Sequence, residues 1–283
     1  NLNESRMIAI LMSTYNGERY LREQIESLLN QTYTDWKLYV RDDGSTDGTV
    51  SIVREYEQKY MGRVVYVTDD SGNLGPGASF MRLLESVEAE YYMFCDQDDV
   101  WLPDKIEKTY GKMLEMEAGH AGKAVLVYGD LQLVDNDLRR FPYTKWKYER
   151  SDSYSVRNIY ELLANNQIIS GCTMMINSRS RKWVLPYKKS LMHDRWISLI
   201  VYGKGGVLCP IADPLILYRI SGFNTVGVKK RNARHYLSKF LSFRDALSAQ
   251  IAYGVKLKTL PFKFSMIRYY MSVSRMILLK MFN

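Results

Sequence analysis

Residues 7–17 read MIAILMSTYNG. Met7–Met12 is an unbroken apolar run of the kind that a parallel strand buried on both faces gives. Working outward, Tyr20, Leu21, Ile25, Leu28 and Leu29 recur at helical spacing through residue 31. The alternation then continues: a strand over Trp36–Val40, a helix over Thr49–Tyr60, a strand over Arg63–Val67, a helix over Ala78–Glu88 and a strand over Tyr91–Cys95. Pro103 stands where a first helical turn accepts proline, before a helix over Asp104–Met116 and a strand over Val125–Tyr128. Strands and helices in this order predict an α/β fold, an open doubly wound layer with helices on both faces. Such layers bind ligands beyond the carboxyl ends of their strands.

Past residue 130 the pattern loosens. Residues 139–155 have no clear period and read as a loop. Asn158–Ala164 reads as helix, Cys172–Asn177 as strand, Asp194–Tyr202 as helix and Leu215–Tyr218 as a last strand. From about 232 the spacing predicts two basic amphipathic helices broken near Thr259–Pro261, with Ser265, Arg268, Ser272 and Arg275 sharing one face of the second. The expected division is 1–130 and 131–228 as two halves of one unit, then a helical tail over 229–283.

Apolar residues make up 46% and charged residues 25% of 283, which excludes a wholly disordered chain. No charge-free stretch reaches bilayer-spanning length, and Glu18, Arg19 and Arg22 follow the first apolar run too soon for a secretory signal. Cys95, Cys172 and Cys209 lie in apolar surroundings at uneven spacing, as in a reducing compartment, so the cytoplasm is expected. The net charge of +8 is unevenly divided. Twelve of the 39 basic residues lie from Lys229 onward against one acid, Asp245, leaving 27 basic and 30 acidic residues before it. An acidic body with a basic tail suits an anionic membrane surface, an acidic protein partner or nucleic acid.

Acids gather where strands end. The second strand runs into Arg41-Asp42-Asp43-Gly44-Ser45-Thr46-Asp47 and the fourth into Asp96-Gln97-Asp98-Asp99. Carboxylates at one sheet edge repel unless a cation or a donor-rich ligand offsets them. Capping of the next helix accounts for Asp43, Asp47 or Asp99 singly, but not for an apolar strand that delivers Asp96 and Asp98 together. Asp-x-Asp offers hard oxygen ligands suited to Mg2+ or Mn2+, and no Cys/His spacing suggests zinc.

Ser13-Thr14-Tyr15-Asn16-Gly17, Asp42 to Asp47, Asn73-Leu74-Gly75-Pro76 and Asp96 to Asp99 follow the order and spacing of motifs in family 2 inverting glycosyltransferases, which the chain resembles over about residues 6 to 228. The resemblance implies the GT-A fold, with a nucleotide-binding α/β half joined to an acceptor-binding half. It puts Thr14 and Tyr15 in the nucleotide pocket, Asp42 on the N3–H of a pyrimidine, and Asn73 beside base and ribose. Asp96 faces ribose and metal, Gln97 joins the donor side, and Asp98 is the principal metal ligand. Glu18 is either a donor contact or a first-turn acid favoured by the helix dipole. His193-Asp194-Arg195-Trp196 occupies the place of the family's acid pair, which makes Asp194 the base; the alternative is that it caps its helix. His193 either orients Asp194 or packs.

Relatives with Tyr-Arg-x-His late in the acceptor half differ from Tyr218-Arg219-Ile220-Ser221 here. Serine does not replace imidazole as a metal ligand, and Arg219 either neutralises diphosphate or forms a structural ion pair. The Gln-x-x-Arg-Trp run and the membrane spans of processive members are absent, so single-sugar transfer is expected. Cys95 to Trp101 is similar to bacterial rhamnosyltransferases of cell-wall or surface polysaccharide synthesis, which implies a dTDP-L-rhamnose donor. UDP-galactose, UDP-glucose and N-acetylated donors are the alternatives. The tail suggests the inner face of the membrane and a polyprenyl-diphosphate-linked glycan acceptor, or else packing on the body or on a second subunit in a homo-oligomer. A nucleotidyltransferase would want a Gly-rich basic loop after the first strand, and a dinucleotide enzyme Gly-x-Gly-x-x-Gly; neither occurs. Intact Asp42, Asp96, Asp98 and Asp194 speak against a nucleic-acid or membrane adaptor on a degenerate fold, so no nucleic-acid partner is expected.

Overall fold

The computed structural model describes residues 7–149, 156–165, 168–220, 253–254 and 256–282. The apolar run of the opening residues becomes β1 (Ile8–Thr14), at the heart of a seven-stranded sheet. It is flanked by β2 (Trp36–Asp42) on one side and β4 (Tyr91–Cys95) on the other, both parallel to it. β3 (Val64–Tyr66) pairs parallel with β2 and forms one edge. Beyond β4 lie β9 (Met175–Asn177), then β6 (Val125–Gly129), then β10 (Val207–Ile211) at the other edge. β9 runs antiparallel to both of its neighbours, so the sheet is mixed and the second half of the chain is woven into it.

The two-residue period of β1 divides the core. Ile8, Ile10 and Met12 face a cluster with Leu21, Ile25 and Leu28 of α1 (Glu18–Leu29), Ile52 and Val53 of α2 (Thr49–Lys59), and Ile106 and Met113 of α4 (Lys105–Gly119). Ala9 and Leu11 face the other cluster, with Phe80 and Leu84 of α3 (Pro76–Ser86) and Trp196, Ile197 and Ile200 of α8 (His193–Gly203). Helices therefore cover both faces, and the carboxyl ends of β1, β2 and β4 open at one rim.

A second, four-stranded sheet has the order β5 (Val100–Trp101), β11 (Ile216–Arg219), β7 (Gln132–Val134), β8 (Arg140–Thr144). β8 and the one-turn α5 (Lys145–Tyr148) replace the loop expected from residue 139; residues 150–155 lie outside the described ones. Pro142 in β8 and Pro210 in β10 mask the strand signal, yet both strands are at sheet edges, where a missing N–H leaves no ladder bond unmade. The strand expected over 172–177 begins only at Met175. Before it, Gly171–Thr173 forms a 3-10 turn in which the Thr173 N–H and hydroxyl both donate to the Ser170 carbonyl. Pro103 precedes the N-cap Asp104 of α4 and so lies outside its first turn. Two short helices complete this half, α6 (Ile159–Ala164) and α7 (Ser178–Val184), the latter capped by Asn177 Oδ1 accepting from the Ser180 N–H.

The first predicted tail helix and Ser221 fall largely outside the described residues. The second is α9 (Met266–Phe282). Its Tyr269 and Val273, with Leu257 and Leu260 before it, are buried in the same cluster as α6 and α8, so the tail packs on the body. Ile267 (74% exposed), Met271 (66%), Arg268 and Arg275 face outward. No helix among the described residues is long and apolar enough to cross a membrane.

Candidate active site

The parallel register sets Thr14 opposite Asp42, and the Thr14 hydroxyl donates to Asp42 Oδ1 at 2.9 Å. The same oxygen accepts from the Ser45 hydroxyl at 2.6 Å, while Oδ2 accepts the Gly44 and Ser45 N–H groups at 3.1 and 2.8 Å. Four protein donors thus converge on Asp42. It builds the turn after β2, and accepting from a base requires one hydroxyl to rotate away. Asn16, at φ 47°, donates its N–H to Ser45 Oγ and accepts the Thr46 N–H, both at 2.8 Å, locking the β1 loop to the β2 loop. Glu18 joins that lock: its carboxylate accepts the Gly48 N–H at 2.5 Å, so its first-turn position serves the loop. Exposed Asn73 stands beside Gly44, where an added Cβ would lie 3.8 Å from its own.

Buried Arg41 holds the loop that carries Asn73. Its guanidinium donates to Asp43 Oδ1 at 2.6 Å, Asp69 Oδ2 at 2.9 Å and the Gly72 carbonyl at 2.7 Å. Asp43 in turn accepts the Leu74 and Gly75 N–H groups, both at 2.8 Å.

At the end of β4, Gln97 reaches back to β1. The Tyr15 N–H donates to its Oε1 at 2.8 Å and its Nε2 donates to the Tyr15 carbonyl at 2.9 Å, while the Tyr15 ring is 51% exposed. Gln97 therefore acts on the β1 loop, through the Tyr15 backbone. Asp96 is pushed up to about 7, first by burial and then by the charges of Asp98 and Asp194. Burial also pushes Asp98 up, and pushes Asp99 well above the carboxylate range with Asp98 and Asp96 adding to it.

Ligand atoms of Asp96, Asp99 and Cys172 lie within 4.8 Å of one another. Asp98 is outside that grouping. Asp99 Oδ1 accepts the Arg219 N–H at 3.3 Å, and its buried Oδ2 has no hydrogen-bond partner among the described residues. Burial and the neighbouring carboxylates push the Cys172 thiol well up, so it stays protonated and the oxygens are the donors on offer. An unpartnered buried oxygen within a set of mutually repelling carboxylates fits a hard divalent cation. Arg219, expected near the diphosphate, is buried: it donates to the Asp98 carbonyl at 2.7 Å, pairs with Glu23 and lies 4.5 Å from the Tyr20 ring. It braces the acidic turn as a structural ion pair.

Asp194 approaches from the first turn of α8, whose N-cap is Met192, so it is not the cap. Its Oδ1 accepts the Arg195 N–H at 2.7 Å. His193 packs instead of orienting it: the buried imidazole lies 4.4 Å from the Phe80 ring and 5.5 Å from that of Phe94. Neither ring nitrogen has a hydrogen-bond partner among the described residues. Gly171 makes the room, since a Cβ there would sit 2.4 Å from His193 Nε2. Burial lowers the imidazole below its usual range against the opposing pull of Asp194.

Lys145 was not foreseen. It starts α5, donates to Ser170 Oγ at 2.6 Å and lies close enough to Asp96 and Cys172 to lower both. It lies within 139–155, a stretch with no period to single it out. Lys105 is likewise new: buried 4.0 Å from the Trp101 ring, it is pushed down to about 8 beneath the acidic turn.

The fold is that of the GT-A glycosyltransferases. The model for "Glycosyl transferase family 2" matches residues 9–183, and the chain belongs to that family. It is 34% identical over 130 residues to the dTDP-rhamnosyl transferase RfbG of Shigella flexneri, covering 44% of this chain and 45% of that one. Among solved structures it resembles S. aureus TarS 1-349 in complex with UDP-GlcNAc at a TM-score of 0.60 and 17% identity, covering 95% of this chain and 71% of that one. The mannosyltransferase PcManGT from Pyrobaculum calidifontis, in complex with GDP-Man and Mn2+, gives 0.55 at 15% identity, covering 99% and 81%. The chain spans about half the length of the curated relatives it matches.

Proposed function

We propose that the chain is an inverting, metal-dependent transferase. It moves one sugar, with L-rhamnose from dTDP-L-rhamnose as the first choice, onto a glycan hydroxyl carried on a polyprenyl diphosphate. The observation that carries this reading is the acidic centre where β4 and α8 meet: the half-buried carboxyl of Asp96 is pushed to about 7, with the charges of Asp98 and Asp194 adding to the effect of desolvation. An arrangement so costly to leave unbalanced suits a site completed by a cation and a donor-rich substrate. The likeness to the Shigella rhamnosyl transferase supports the sugar.

Thr14, Tyr15, Asp42 and Asn73 line the nucleoside pocket, with Gln97, Glu18 and Arg219 holding its walls. When bound, Mn2+ or Mg2+ would supply Lewis-acid stabilisation of the leaving diphosphate, and Asp96 and Asp98 would hold it. Asp98 is the ligand that the family's motif implies; Asp99, whose Oδ2 has no hydrogen-bond partner among the described residues, is the rival. Asp194 takes the proton from the acceptor hydroxyl. The freed oxygen attacks the anomeric carbon opposite the diphosphate, so the new glycosidic bond forms as the old bond to diphosphate breaks and the configuration inverts. Residues 1–130 serve the donor and 131–228 the acceptor. The outward Ile267, Met271, Arg268 and Arg275 of α9 support peripheral contact with an anionic inner leaflet.

A thermal-shift panel tests the reading: dTDP-L-rhamnose, UDP-galactose, UDP-glucose and UDP-N-acetylglucosamine, each with and without Mn2+. A Mn2+-dependent rise in Tm with dTDP-L-rhamnose is expected. A larger rise with UDP-N-acetylglucosamine, the donor in the TarS complex, would reassign the sugar. No rise with any of the four would overturn the donor site.

A further inference from the structure

Arg195 follows the proposed base and is buried, yet among the described residues no carboxylate lies within ion-pair distance of it. Its Nη1 donates to the carbonyls of Leu162 at 2.6 Å and Asn165 at 3.4 Å, and its Nη2 to that of Leu163 at 3.1 Å. These carbonyls end α6 and its C-cap, where intrahelical partners run out and the helix dipole favours a cation. The remaining donor, Nε, meets the hydroxyl of Tyr253 at 2.8 Å. Tyr253 belongs to the C-terminal segment.

Other contacts tie that segment to the same turn. The Thr259 hydroxyl donates to the Lys256 carbonyl at 2.7 Å and accepts from the Ser190 hydroxyl, 2.8 Å away in the loop that feeds α8. Leu257 and Leu260 are buried in the cluster that holds Leu191 and Trp196. At the far end of α8, the Phe262 ring fills the space that a Cβ on Gly203 would need, 2.3 Å away.

We infer that the C-terminal segment is a positioning element of the acceptor side, acting through Arg195. Docked against α6 and α8, it holds the first turn of α8 so that the Arg195 N–H meets the Asp194 carboxylate at 2.7 Å. Arg195 is a positioning residue. The inference rests on the reading of Asp194 as base.

Hydrogen exchange on the full chain tests the coupling without any ligand. Tyr253→Phe keeps the ring and removes only the hydroxyl. Amides of 188–196 are expected to exchange about tenfold faster, the equivalent of one lost hydrogen bond, while those of β1 keep their protection. Unchanged exchange in 188–196 would overturn the inference. Arg195→Lys should loosen the same segment, and the double variant should add little beyond either single one; fully additive effects would also overturn it.

In nucleotide release from dTDP-L-rhamnose with Mn2+, Tyr253→Phe should lower kcat and leave the donor KM unchanged, a split that general destabilisation does not produce. Asp194→Asn in the same assay separates the two failures. Full activity of Asp194→Asn removes the base, whereas an inactive Asp194→Asn beside a fully active Tyr253→Phe removes only the coupling.

Discussion

The side-chain amide of Gln97 forms a two-point contact with the backbone of Tyr15, accepting its N–H at 2.8 Å and donating to its carbonyl at 2.9 Å. Eighty-two residues separate the pair in sequence, and the parallel pairing of β1 with β4 brings them together. Gly17 is part of the arrangement, because a Cβ there would lie 2.2 Å from Gln97 Oε1. Glycine at this motif position lets the amide approach, with φ at an ordinary −103°; a side chain there would displace it.

Gln97→Ala should free the Tyr15 loop and raise the donor KM about tenfold, with kcat less affected. Gly17→Ala should reproduce that effect by displacing the same amide. Steady-state kinetics with the donor varied checks both, and a KM within twofold of the parent for either would remove the contact from donor binding.

The carboxylates at the end of β4 make opposite predictions for activity and stability. Asp98→Asn removes a charge that pushes Asp96 and Asp99 up, so Tm should hold or rise. Mn2+ stimulation should be lost, with turnover down roughly 100-fold. A Mn2+ titration of activity for Asp98→Asn beside Asp99→Asn distinguishes the ligand pairs: retention in the first and loss in the second would make the pair Asp96 and Asp99.

The strands around β1 were legible because buried parallel strands leave apolar runs, unbroken in Ile8–Met12 and Tyr91–Cys95; Trp36–Asp42 shows itself by alternation instead, with exposed Lys37 between buried Trp36 and Leu38. β8 and β10 escaped because proline argues against a strand until its edge position is known. The acids of the site were visible as residues, but not their partners. Arg219 meets Glu23 across 196 positions and Gln97 meets Tyr15 across 82, and no local pattern reports such pairs. Hence Glu18, Gln97 and Arg219, expected on the donor side, turn their side chains to the protein itself.

α9 divides into an inner and an outer face with different consequences. Tyr269→Ala should destabilise the fold by about 3 kcal/mol, since the ring is wholly buried against the body. Ile267→Ser with Met271→Ser should change stability by less than about 0.5 kcal/mol, because both side chains face solvent. The same pair should weaken binding to anionic vesicles in a co-sedimentation assay. Unchanged vesicle binding would remove this face from membrane contact.

His193 sets a pH limit on the fold. Its imidazole is wedged between Phe80, Phe94 and Gly171, with both nitrogens lacking partners among the described residues, and burial holds its folded pKa below the ordinary 6.5. Above about pH 6.5 folded and unfolded chains are both neutral at this site, and it contributes no pH dependence. Below that value the unfolded chain takes up a proton that the folded chain refuses. Stability then falls with pH by up to about 1.4 kcal/mol per unit until the folded imidazole titrates as well. His193→Phe keeps an aromatic ring in the wedge and removes two unsatisfied buried nitrogens, so it should raise Tm at pH 7. It should also flatten the loss of stability between pH 6.5 and 5. Urea unfolding midpoints at half-unit pH steps compare the two chains; parallel curves for parent and variant would show that the imidazole is protonated alike in both states.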